Sequence, residues 1–170
     1  DRFIAARAPL KYVKRDNIPN YEKRPEPLPY QLPLSPEESL KYTRAPVGFH
    51  LELFAAEPMI VNPIYLQWDE RGRLWVAESR DYPNEISGDR KGADSIKILE
   101  DTDNDGKADK VTVFADGLNI PTSFTFSRGG IIVAHAPDFL FFKDSDGDDK
   151  ADVRKVLFTG WGINDTHAGP

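Results

Sequence analysis

The stretch IKILEDTDNDGKADKVTVF, residues 96–114, returns 43 residues later as FLFFKDSDGDDKADVRKVL, residues 139–157. Each copy has two short apolar runs, 96–99 with 111–114 and 139–142 with 155–158, joined by a nine-residue acidic loop. Runs of this length bounded by turn-forming residues read as strands. Working outward, a second strand pair precedes each copy. Tyr65-Leu66-Gln67-Trp68, a turn over 69–72 and Leu74-Trp75-Val76-Ala77 come first. Ser123-Phe124-Thr125-Phe126, a turn over 127–130 and Ile131-Ile132-Val133-Ala134 repeat that order. The second strands are 57 residues apart and the acidic loops 43, so the first unit carries an insertion over about 82–93. Four strands at a period of about 40–45 residues is the size of a propeller blade. The expected fold is therefore all-β, a partial β-propeller with blades at about 64–117 and 121–160 inside a domain spanning 47–170. A β-sandwich with two similar hairpins is the alternative, but loop, turn and strand order repeat together, which favours blades.

The acidic loops carry the most specific chemistry. Asp101, Asp103, Asp105 and Asp109, with the Lys107 carbonyl, place oxygen donors at alternating positions of a tight loop. Calcium takes six to eight hard oxygens in flexible geometry, and four carboxylates this close repel one another without a cation. Thr112 stands at the twelfth position and no helix pattern flanks the loop, so this is not an EF-hand. It resembles the calcium loops of integrin-type blades. Asp144, Asp146, Asp148 and Asp152, with the Lys150 carbonyl, repeat the spacing, but Asp149 replaces the glycine of the first copy. Asp enters left-handed backbone less readily than Gly, which marks the second loop as the weaker site. Metal-free hairpins held by Asx turns are the competing reading.

Residues 1–46 differ from the rest. Eight of the chain's prolines fall here, which favours an extended arm, interrupted by a short helix near 36–42 where Ser35-Pro36-Glu37-Glu38 supplies a cap. Phe49, Leu51 and Leu53 alternate with polar residues and predict a strand over 49–54, placed to close the outer edge of a last blade. A net charge of −6, with the acid excess concentrated in the two loops, argues against nucleic acid. The absence of cysteine removes disulfides, thiolate metal sites and a Cys-x-x-Cys-His haem attachment from this stretch. Calcium-type loops point to an extracytoplasmic setting: periplasmic, secreted, or membrane-associated through a region outside these residues. Two blades cannot close a ring of roughly four to eight. The remaining blades are expected from the same polypeptide or from another chain, with residues 1–170 a piece of a longer product that turns nothing over alone.

In a four-stranded blade, the loops joining strands one–two and three–four share one face, and the other connections share the opposite one. Both acidic loops join strands three and four. The opposite face collects Arg80, Asp81 and Tyr82 from the insertion, with Asn119, Asp138, Asn164, Asp165 and His167. His167 precedes the small pair Ala168-Gly169, and a neutral imidazole suits a general base. A loop histidine bonded to neighbouring backbone is the plainer reading. His135 reads as a packing residue and His50 as solvated. The long insertion is a candidate lid or specificity loop.

The segments 53–58, 68–79 and Asp165-Thr166-His167-Ala168-Gly169-Pro170 resemble the propeller of large secreted bacterial proteins of the membrane-bound dehydrogenase type. Those are similar in turn to sorbosone dehydrogenases and the soluble quinoprotein glucose dehydrogenase. The resemblance covers about 35–170. It implies a dehydrogenase acting on a sugar or alcohol, with pyrroloquinoline quinone (PQQ) as cofactor and His167, followed by Gly169, as the base. It also implies cofactor-binding arginines and lysines from later blades, and a c-type cytochrome domain as electron acceptor. Members without turnover imply a second role, a scaffold binding glycans or proteins.

Overall fold

The computed structural model describes residues 32–84, 88–89 and 91–164. The chain divides into a unit of 1–33, almost all of it outside the described residues, and a unit of 34–170. In the second unit, α1 (Pro36–Tyr42) forms where the cap signal predicts it. Ser35 Oγ accepts the Glu38 amide at 3.2 Å, and proline occupies the first turn, where its missing amide is not needed.

Eight strands follow: β1 (Pro63–Trp68), β2 (Leu74–Glu78), β3 (Asp94–Glu100), β4 (Lys110–Leu118), β5 (Pro121–Ser127), β6 (Gly130–His135), β7 (Asp138–Lys143) and β8 (Val153–Thr159). They form two antiparallel four-stranded sheets in sequence order, β1 to β4 and β5 to β8. The fold is all-β, two blades of a partial propeller. The blades repeat down to their irregularities. Each inner strand starts with proline and carries a bulge two residues in, at Pro63/Tyr65 and Pro121/Ser123. The β5–β6 turn puts Arg128 and Gly129 at φ 51° and 73°, the twist-matched two-residue hairpin connection. At Gly130 a Cβ would come within 2.1 Å of the Phe142 carbonyl oxygen, so only glycine fits beside the neighbouring strand.

The main core lies between the sheets. Trp75, Ala77, Ile96, Ile98 and Phe114 of the first blade meet Phe124, Ile131, Val133, Leu140 and Phe142 of the second. Trp75 is its centre, with ring centroids 4.6 Å from Phe114 and 5.2 Å from Phe126. A smaller cluster of Leu74, Val76, Leu99 and Ala108 on the far side of the first blade is covered by Phe54, Ala55, Met59 and Ile60.

That cover corrects one expectation. Residues 49–54 form no strand; 43–62 run as turns and irregular chain, with Phe49 and Leu51 exposed. A strand needs a hydrogen-bonding neighbour, and among the described residues none lies beside this segment. Phe54 instead sends its carbonyl to the Ala108 amide at 2.9 Å.

Candidate metal loops and the opposing polar face

Each acidic loop gathers three carboxylates whose oxygens lie within 4.8 Å of one another: Asp101, Asp103 and Asp109 in the first, Asp144, Asp146 and Asp148 in the second. Both loops are folded by one web of backbone donors. The Asp101 carboxylate accepts from the Gly106 amide at 2.9 Å, and Asp144 from the Asp149 amide at 2.8 Å. The amides of Lys107 and Lys150 donate to Asp105 and Asp148. Thr102 binds Asp109 through amide and hydroxyl, as Ser145 binds Asp152. The clustered trio differs between the loops: Asp109 completes it in the first and Asp148 in the second.

The electrostatics follow from this packing of like charges. The neighbouring Asp148 charge, foremost, raises the Asp146 carboxyl above its usual range. Asp144 is held low, chiefly by the Gly147 amide, and Asp152 by the Ser145 hydroxyl. Hard carboxylate oxygens converging in a tight turn suit calcium, so the donor set fits the ion expected from the sequence.

Sequence reasoning missed what Asp149 does. It takes left-handed backbone at φ 63°, matching Gly106 at 88°. Its carboxylate also reaches across to the first blade and accepts from Arg73 Nη1 at 2.7 Å. Arg73 donates through Nε to Asp69, which also accepts from the Arg71 and Arg73 amides and from the Trp75 indole, all within 2.9 Å. Asp69 thus ties the β1–β2 turn to the core tryptophan, and Asp149 ties the second loop to that turn. A cleft of about 660 Å³ opens between Arg71, Arg128, Trp75 and the second loop. The turns and acidic loops share one face, as strand order predicts.

On the opposite face, Glu78 and Asp94, both fully buried, organise the ends of β2 and β3. Asp94 accepts from the amides of Arg80, Asp81 and Ile120, the last at 2.6 Å, and so pins the insertion to the link between blades. Burial, above all, pushes the Asp94 carboxyl up, against those amides. Glu78 pairs with Lys97 at 2.7 Å and Arg80 at 3.3 Å and accepts from Ser95. Asp81 accepts from the Asn119 side chain at 2.8 Å and the Ala93 amide at 3.0 Å. Arg80 and Asp81 are therefore built into a structural network rather than paired with each other. Tyr82 is partly exposed beside them, and Asn164 is exposed. His135 is buried and its Nε2 accepts the Asn119 amide at 3.1 Å, in keeping with a packing role. His50 is exposed beside Glu52. Asp165 and His167 lie outside the described residues.

No curated protein and no solved structure matches the chain. A family model described as a domain of unknown function (DUF7133) matches residues 35–170, from the cap of α1 through both blades. The chain belongs to that family.

Proposed function

We propose that residues 63–159 are two consecutive calcium-clamped blades of a quinoprotein-like propeller, and that the full ring oxidises a sugar or alcohol on the face opposite the clamps. The observation that carries the calcium half is that each loop converges three carboxylates within a shared web of backbone donors, with a carboxyl of the second loop raised by its neighbour's charge. A divalent ion removes that repulsion and fastens each long hairpin. Calorimetric titration of calcium into the chain should find two sites. A flat titration at millimolar calcium, the affinity of extracellular modules, sinks the clamp.

The dehydrogenase half rests on the family resemblance over 35–170 and on His167, whose imidazole would take the substrate hydroxyl proton. PQQ, when bound, supplies the two-electron acceptor. The described residues on that face do not form its seat: Arg80 and Lys97 are both engaged by Glu78. Cations for so acidic a cofactor must come from other blades, and a c-type cytochrome would take the electrons. With PQQ and calcium, the full ring should reduce an electron-accepting dye on some member of a broad sugar and alcohol panel, and His167→Ala should abolish this without unfolding. No dye reduction on any substrate moves the assignment to the second reading, a calcium-clamped scaffold binding glycans or proteins. The engagement of Arg80 and Asp81 in the fold, rather than in an open site, favours that alternative. Both readings place the protein outside the cytoplasm and complete the ring with further blades.

A further inference from the structure

We propose that residues 51–55 are the outer strand of a third blade, whose other three strands close the ring against the back of the first. Leu51-Glu52-Leu53-Phe54-Ala55 repeats the pattern of Val111-Thr112-Val113-Phe114-Ala115 in β4. The structure places the two segments alike. Ala151 of the second loop donates its amide to the Phe114 carbonyl at 2.7 Å, and Ala108, its counterpart in the first loop, donates to Phe54 at 2.9 Å. Phe54 therefore stands to the first blade as β4 of the first blade stands to the second. The exits match as well: Asn62 and Ile120, both left-handed at φ 50° and 54°, each precede the proline that opens an inner strand.

The segment is held in this position without a sheet. Lys97 Nζ donates to the Met59 carbonyl at 3.0 Å, and Glu78 accepts the Val61 amide at 2.8 Å. The buried Glu78–Lys97 pair thereby anchors the connection to the first blade. What the outer strand lacks is its own sheet. In the second blade Phe124 is only 3% exposed, because the first blade covers it. Leu66, which matches Phe124, is 57% exposed, and Trp68, which matches the partly buried Phe126, is 51% exposed. The surface fits a three-stranded antiparallel half-blade that brings a large apolar side chain over Leu66 and Trp68 and offers its third strand to residues 51–55. A second copy of this chain does not fit, since each of its blades already owns a fourth strand in β4 or β8. The occupant is the last blade of the same ring, carried on the same polypeptide. Donating a strand from before the first blade to the last removes the open sheet edge.

This rests on the reading that further blades complete the ring and is independent of the dehydrogenase assignment. These residues contain no cysteine, so Glu52→Cys places a single thiol in the segment. In the full polypeptide, a benzophenone maleimide on that thiol should cross-link within one molecule to a strand of the last blade. Amide exchange of the unmodified protein at Leu51 and Leu53 should slow by about tenfold or more relative to residues 1–170 alone. Adducts confined to residues 32–62, or joining two molecules, with fast exchange in both forms, overturn the strand donation. A last blade with four strands of its own does the same. A polypeptide with no further blades instead overturns the reading beneath it.

Discussion

Asp149 breaks a local rule and is compensated at long range. Left-handed backbone costs a non-glycine residue about 1–2 kcal/mol. The charged hydrogen bond it gains from Arg73, largely shielded at 11% and 26% side-chain exposure, contributes about 1.5–3 kcal/mol. The second effect wins, so Asp149→Gly should lower stability by about 1 kcal/mol in urea unfolding, although glycine relaxes the backbone. A gain in stability would show the ion pair to be idle. Asp69 carries more. Burial opposes its charge, but the Trp75 indole and the Arg73 and Arg71 donors outweigh that and hold its carboxyl below the usual 3.8. A depressed carboxyl contributes stability that is complete above its unfolded value and is lost as pH falls through the folded one. Acid unfolding of the chain should therefore steepen below about pH 4, and Asp69→Asn should flatten that limb. Asp69→Ala, which leaves the Trp75 indole without its acceptor and Arg73 with Asp149 alone, should cost about 1–3 kcal/mol. The left-handed turn at Asp149 is legible from the glycine it replaces, but its partner is not: Asp149 and Arg73 are 76 positions apart, and no local pattern joins them.

At the scale of elements, the sequence is legible wherever one element contains its own cause. The cap of α1, the turn residues and the paired acidic loops are local signals, and each appears where it was expected. The segment 49–54 forms no strand among the described residues for the complementary reason. Its alternation is that of a strand, but a strand exists only with a neighbour, and the neighbour is not among the described residues. Strand order correctly put Arg80 and Asp81 on the face away from the loops. It did not reveal that buried Asp94 consumes their amides, because a charged residue opening an apolar strand looks like the end of a loop. The insertion is fitted closely there. A Cβ on Gly92 would lie 2.4 Å from the Leu118 carbonyl oxygen and 1.9 Å from the Asp81 carboxylate. Gly92→Ala should cost about 1–3 kcal/mol in urea unfolding, since the backbone oxygen cannot swing aside. The loops invite a separate measurement. Asp144→Asn weakens one trio and leaves the other untouched, so the calcium stoichiometry should fall from two to one. Chelator should then lower the melting temperature less than in the parent chain. Loss of both sites together would mean that the loops are not independent clamps.

For the whole molecule, the decisive asymmetry is between the two sides of each blade. The first blade buries Trp75, Ile96 and Ile98 against the second. Among the described residues, the corresponding side of the second blade has no such cover. Phe139 is stacked on Trp161 at 4.6 Å, yet Phe158 is 66% and Trp161 40% exposed, with Phe141 half-buried beside them. Contiguous aromatic surface of this kind drives association, and burying one such side chain is worth about 1.5–3 kcal/mol. Residues 1–170 should therefore self-associate as concentration rises, as light scattering after size exclusion would record. Phe158→Lys should restore the monomer while leaving the unfolding midpoint nearly unchanged, because an exposed side chain contributes little to the fold it sits on. If the substitution unfolds the chain instead, Phe158 belongs to the core of the two-blade unit and the side is closed. If the parent chain stays monomeric throughout, the aromatic surface is too small to demand another blade, and the ring argument loses its physical basis.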